Sequence, residues 1–358
     1  MAVQLPSLLK RQIEAAEAPV LDVVDLVERE TAFHRSPLRG ILPDWLIDDS
    51  LMLDRHIREG RFQRSLSLVA GLSSVLSGVE VLTEHYRGSY SQRIMYSPLI
   101  LSPALLAAGI WGALSPRAAR TVLPAVSAIT VLDGVTGFAF HVRGIHRKPG
   151  GWRNTVFNLV MGPPVLAPLL FALSGYLGLI ASLLRPEETP PGTLLANAGG
   201  LTSPRAPWLR LAPRAVKDDV VALEDRAREG RIQQQLAVAA ALSAMLSGFE
   251  ALYSHYKNNF RFAVQWTPII IAPLLCVAGL GAVGSKAVAR TVLPIVSLVA
   301  MLDGAVGSFY HVRGILRRPG GLKTPIHNLI YGPPSFAPML FAASGFLGLL
   351  ASLLRRAD

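Results

Sequence analysis

Cysteine is nearly missing: Cys276 is the only one in 358 residues. A single thiol cannot build a disulfide framework or a thiolate metal site within the chain. It also excludes covalent haem attachment through C-x-x-C-H. Charge is scarce too. Asp, Glu, Lys and Arg make up 16% of residues, against about 25% in soluble domains. There is no G-x-x-x-x-G-K-[ST] phosphate loop, no H-E-x-x-H zinc helix and no G-x-S-x-G elbow. The "LDG" at 132–134 lacks the downstream Ala-Arg and paired aspartates of a CDP-alcohol phosphotransferase, which excludes that chemistry. The N-terminus has no uninterrupted apolar core of a secretory signal.

What the chain has instead is apolar surface. Hydrophobic residues make up 51% of it, and the mean hydropathy is +0.39. Net charge is +11, with Lys and Arg clustered between apolar runs. That placement points to membrane lipid with anionic headgroups as the partner, and not to nucleic acid. Together with the missing signal sequence, it predicts an integral protein of a bacterial inner membrane with a cytoplasmic N-terminus.

An offset of 170 residues superimposes the two halves without a gap. "EGR" at 59–61 meets "EGR" at 229–231, "RTVLP" at 120–124 meets 290–294, and "GPP" at 162–164 meets 332–334. Such self-similarity marks a tandem duplication. Residues 1–36 read as an amphipathic segment, 37–185 as a first membrane unit, 186–206 as a Pro- and Gly-rich linker and 207–358 as a second unit.

Each unit carries four apolar stretches, at about 66–86, 96–114, 121–142 and 160–184 in the first and 170 residues later in the second. Each approaches the roughly 20 residues needed to cross a bilayer. The fold class expected is therefore an all-α integral membrane protein of eight transmembrane helices, as two four-helix units. An even helix count gives both units the same orientation, related by a pseudo-twofold along the membrane normal. In architecture this layout resembles the quinone-reactive membrane subunits of the polysulfide-reductase type.

Polar residues recur inside these helices. His85 and His141 close the first and third helices of one unit, and His255 and His311 those of the other. All four belong to one face of the membrane. Glu80 and Glu250 lie five residues before their histidines, about 7–8 Å deeper. Asp133 and Asp303 lie eight residues before theirs, about 12 Å deeper. A carboxylate at the bilayer centre costs about 2.5–3.5 kcal/mol, so all four acids are expected to face bundle interiors.

Small residues line the same faces. Gly134 and Gly137 lie under His141, Gly304 and Gly307 under His311, Gly78 under His85 and Gly248 under His255. Such stripes serve either as close-packing seams or as slots for a flat macrocycle. With two imidazoles above each stripe, they predict bis-histidine haem b in each four-helix bundle. Arg143 and Arg313, two residues beyond the helix-three histidines, suit haem propionates. The function expected is a membrane electron-transfer subunit. The acids would handle protons at a quinone site, and a redox partner would dock on the histidine face. Three other readings stand beside it: a transporter or channel lined by the acids, a carboxylate–histidine metal protein, and a structural subunit of a larger complex.

Overall fold

Backbone in hydrocarbon must satisfy its own hydrogen bonds, so a long apolar run folds as a helix. The computed structural model of the chain describes residues 43–188 and 214–354, and these are helical with no strand among them. The first set of helices is α1 (Asp44–Arg58), α2 (Gln63–Arg87), α3 (Ser97–Leu114), α4 (Val122–His146) and α5 (Ala167–Leu183). The second set is α6 (Arg214–Arg228), α7 (Gln233–Lys257), α8 (Thr267–Gly284), α9 (Val292–Leu316) and α10 (Ala337–Leu353). Segments 1–36 and most of the 186–206 linker lie outside the described residues.

Six helices are long and apolar enough to cross a membrane: α2, α3 with the 3-10 turn before it, α4, and α7 to α9 with the turn that precedes α8. The chain is thus a helical membrane protein. The fourth stretch of each unit is shorter than its hydropathy suggests. Helices α5 and α10 have 17 residues each, about 25 Å against a hydrocarbon core of about 30 Å. The reason is local. Pro163 and Pro164 lack N–H groups, and a residue before proline avoids helical backbone. The helix expected from about residue 160 therefore does not start there: a short helix, Thr155–Val160, ends at that point, and α5 begins only after the turn. Pro333 and Pro334 split the second copy in the same way, after Pro325–Tyr331.

Within each set the four apolar helices form a square. Helix α2 packs on α3 and α5, and so does α4, which leaves α2 and α4 on the diagonal. Helices α7 and α9 hold the same positions in the second set. The contacts are made by small and polar side chains. Ser74 Oγ donates to the Ser102 carbonyl at 2.7 Å, and Ser102 Oγ donates back to the Ser74 carbonyl at 2.8 Å. Ser73 meets Ser174 at 3.1 Å, and Ser243 meets Ser344 at 2.6 Å. Large apolar residues point outward instead, with Leu114 76% and Val277 70% exposed. Serine inside and leucine outside is the pattern of helices that associate in lipid.

The two sets share one apolar core, in which Leu66, Leu105 and Leu177 join Leu236, Leu275 and Leu347. Helix α2 lies against α10, and α7 against α5. The loops before α2 and α7 meet at Gly60 and Gly230, which have φ of +65° and +72°. A side chain on either would strike backbone at the end of the helix that precedes the other loop, at Ala227 of α6 or Arg58 of α1. Arg87 adds a contact that the second copy lacks: its guanidinium donates to the Ile330 and Gly332 carbonyls, and residue 257 is Lys.

Candidate functional site

Helices α2 and α4 run in parallel and end at one face, where α3 and α5 begin. His85 and His141 reach across the diagonal of the bundle, with ring centroids 6.5 Å apart and planes inclined by 63°. His255 and His311 are also 6.5 Å apart, inclined by 74°. All four rings are half-buried.

Each ring is fixed by backbone. His85 Nδ1 lies 2.8 Å from the Met95 carbonyl and His141 Nδ1 2.6 Å from that of Pro164. His255 Nδ1 lies 2.8 Å from the Gln265 carbonyl and His311 Nδ1 2.5 Å from that of Pro334. A carbonyl only accepts, so Nδ1 carries the proton in every ring. In the neutral imidazole the lone pair is then on Nε2. Pro164 and Pro334 are the last residues of the repeated "GPP", so the turn that shortens the fourth helix also orients a histidine.

An aromatic pair flanks each site. Tyr90 stands edge-on to His85 at 6.1 Å and stacks on Tyr96 at 4.6 Å. Phe260 and Trp266 repeat this beside His255, at 6.3 and 4.0 Å. The loop that carries Tyr90 holds two consecutive non-glycine residues in the left-handed region, Ser89 at +58° and Tyr90 at +46°. Asn259 and Phe260 do the same at +54° and +44°. That conformation costs about 1–2 kcal/mol per residue, and here it brings an aromatic ring beside an imidazole in both copies. A periodicity search over apolar residues cannot find this loop.

The four acids have partners at helix starts. Glu80 of α2 accepts from the Phe336 N–H at 2.5 Å, at the N-cap of α10. Glu250 of α7 accepts from the Leu166 N–H at 2.7 Å, at the N-cap of α5. Each glutamate therefore caps a helix of the other set, where orphan N–H groups and the helix dipole favour negative charge. Asp133 accepts from Ser97 Oγ, the first residue of α3, at 2.5 Å. Asp303 interacts with Thr267, the first residue of α8, whose hydroxyl donates to the Val264 carbonyl at 2.8 Å. Among the described residues, no group of three or more His, Cys, Asp or Glu could hold a metal ion. A site using Glu80, His85, Asp133 and His141 together is thus not formed.

The glycine stripes are closed seams and not slots. A Cβ on Gly134 would lie 2.5 Å from the Pro168 carbonyl oxygen and 2.6 Å from Ala172, and one on Gly137 would lie 3.1 Å from the Pro168 ring. Gly304 and Gly307 meet Pro338 in the same way, at 2.5 and 3.0 Å. Gly78 faces the Ser102 side chain, and Gly248 faces Ala272 at 2.5 Å. The neighbouring helix occupies the space expected for a macrocycle. Gly134→Leu should therefore destabilise the first unit by about 1–3 kcal/mol through overpacking. A thermal melt in detergent checks this, and an unchanged midpoint would contradict the seam.

Arg143 and Arg313 are exposed at the ends of α4 and α9. His34 lies outside the described residues, His56 is half-buried, and His146 and His327 are exposed. No family model matches the chain, and neither the curated proteins nor the solved structures contain a match to it.

Proposed function

We propose that the chain is a membrane electron-transfer subunit that binds b-type haem between His85 and His141 and again between His255 and His311. The observation that supports this most is the fixing of all four imidazoles through Nδ1, which places the neutral ring's lone pair on Nε2. A carbonyl accepting from Nδ1 holds the ring orientation and raises its basicity, as is usual for metal-bound histidines. The separation also suits the assignment. Both imidazoles of a pair would have to reach one metal, and in both pairs the ring centroids stand 6.5 Å apart.

Ligand number favours haem over a bare ion. Structural zinc takes four protein ligands, and each pair offers two. A haem needs only two protein ligands, which His85 with His141 and His255 with His311 would provide, and when bound it would supply one-electron chemistry. The paired imidazoles fit the group, whereas the filled glycine seams below them would not hold it, so the proposal rests on the histidines alone. Proton handling by the acids at a quinone site is not part of this proposal, because each carboxylate is engaged at a helix start.

The topology proposed with it counts α5 and α10 as crossings, for eight in all, with the two units in one orientation about a twofold along the membrane normal. Reciprocal capping by Glu80 and Glu250, and the meeting of Gly60 with Gly230, support that symmetry. A redox partner would dock on the histidine face, and the membrane would be a bacterial inner membrane with the N-terminus in the cytoplasm. The test is a reduced-minus-oxidised absorption spectrum of the purified protein, expressed with ample haem. A Soret band with a sharp α-band is expected. A flat spectrum would end the haem assignment.

A further inference from the structure

The basic residues at the end of α4 form a place of their own. A pocket of ≈ 190 Å³ is lined by Gln92, Phe140, Arg143, Gly144 and Arg147. Neither His85 nor His141 lines it. The volume is below the roughly 300 Å³ at which small-molecule sites begin, and it suits a single tetrahedral anion with its substituents outside. Arg143 and Arg147 are four residues apart, on one face of the last helical turn. Both are exposed, and neither guanidinium has a hydrogen-bond or ion-pair partner among the described residues. Two like charges at that spacing repel, and an anion between them reverses the sign of the interaction.

The remaining walls indicate what kind of anion. Guanidinium groups bind phosphate oxygens through paired donors, and the Gln92 amide adds a further donor. Phe140, 38% exposed, provides an apolar wall on the membrane side of the arginines. We infer that Arg143, Arg147 and Gln92 form a phosphate-group site at the rim of the histidine face. The source of the group is either a phospholipid headgroup or free phosphate. This inference does not depend on haem. The second copy retains Arg313 and Arg317 but places Phe262 where the first has Gln92, so it has the charges without the amide.

The experiment compares wild type with Arg143→Gln/Arg147→Gln and with Arg313→Gln/Arg317→Gln. Native mass spectrometry follows retention of phosphatidylglycerol from mixed phosphatidylglycerol–phosphatidylcholine nanodiscs, and inorganic phosphate is titrated as competitor. The four arginines are exposed, and an unchanged melting midpoint checks that the variants fold. Removing Arg143 and Arg147 should weaken retention about ten-fold or more, because two basic groups and their hydrogen bonds to the phosphate are lost. Removing Arg313 and Arg317 should do clearly less. Retention that inorganic phosphate leaves intact identifies the lipid as the source, and displacement by phosphate identifies the free anion. Equal losses in the two variants would overturn the inference, because they would show surface charge acting without a built site. No loss in either variant would overturn it as well.

Discussion

His141→Ala is expected to remove half of the haem absorbance and leave the rest. The two imidazole pairs are separate: His85 and His141 belong to one bundle, and His255 and His311 to the other. Loss of one imidazole would leave a bound haem with a single protein ligand, which is insufficient for low-spin bis-histidine ligation and should weaken its retention. His311→Ala should give the complementary loss, and the double variant a spectrum without a Soret band. Neither substitution opens a helix seam, since each ring is half-buried and hydrogen-bonded only to a turn carbonyl. Melting should therefore shift little beyond the contribution of bound haem. A His141→Ala protein that retains the whole wild-type spectrum would contradict the assignment.

The second large effect concerns the glutamates. Glu80→Ala together with Glu250→Ala should destabilise the whole molecule by about 3–6 kcal/mol. Each removed carboxylate leaves a part-buried N–H without its acceptor, a loss of about 1.5–3 kcal/mol. Both losses fall on the junction of the two sets, at the starts of α10 and α5. Gln keeps a carbonyl oxygen in the same place, so Glu80→Gln should restore most of the stability and leave the spectrum as in wild type. If Glu80 acted instead as a proton carrier, Gln would fold normally and block turnover. Thermal melts and electron-transfer rates of the Ala and Gln variants separate the two roles. A Gln variant no more stable than the Ala variant would refute the capping account, and a stable but inactive one would assign Glu80 a proton-carrying role.

How far the residues alone reveal this arrangement depends on the range of the interaction. Apolar runs place α2, α4, α7 and α9 within a few residues, because lipid contact acts on each segment independently. The start of the fourth helix is misplaced, at 160 instead of Ala167, because hydropathy is insensitive to the backbone constraint of Pro163 and Pro164. The glycines beneath the histidines are open to two readings, since a slot and a seam both require a missing Cβ. Only the distance from Gly134 to Pro168 decides between them. The partner of Glu80 is hidden for a different reason. Phe336 lies 256 residues away in the other copy, and helical periodicity carries no information at that range. The histidine pairing is legible from the repeat, whereas the carbonyls that orient the rings come from loops and turns.

The most direct test of the central claim is the haem-to-chain ratio of the purified wild-type protein, measured by pyridine haemochrome against quantitative amino-acid analysis. Two pairs of Nδ1-anchored histidines predict two non-covalent haems per chain, removable by acid acetone. A ratio that stays near zero under haem-replete expression would contradict the account.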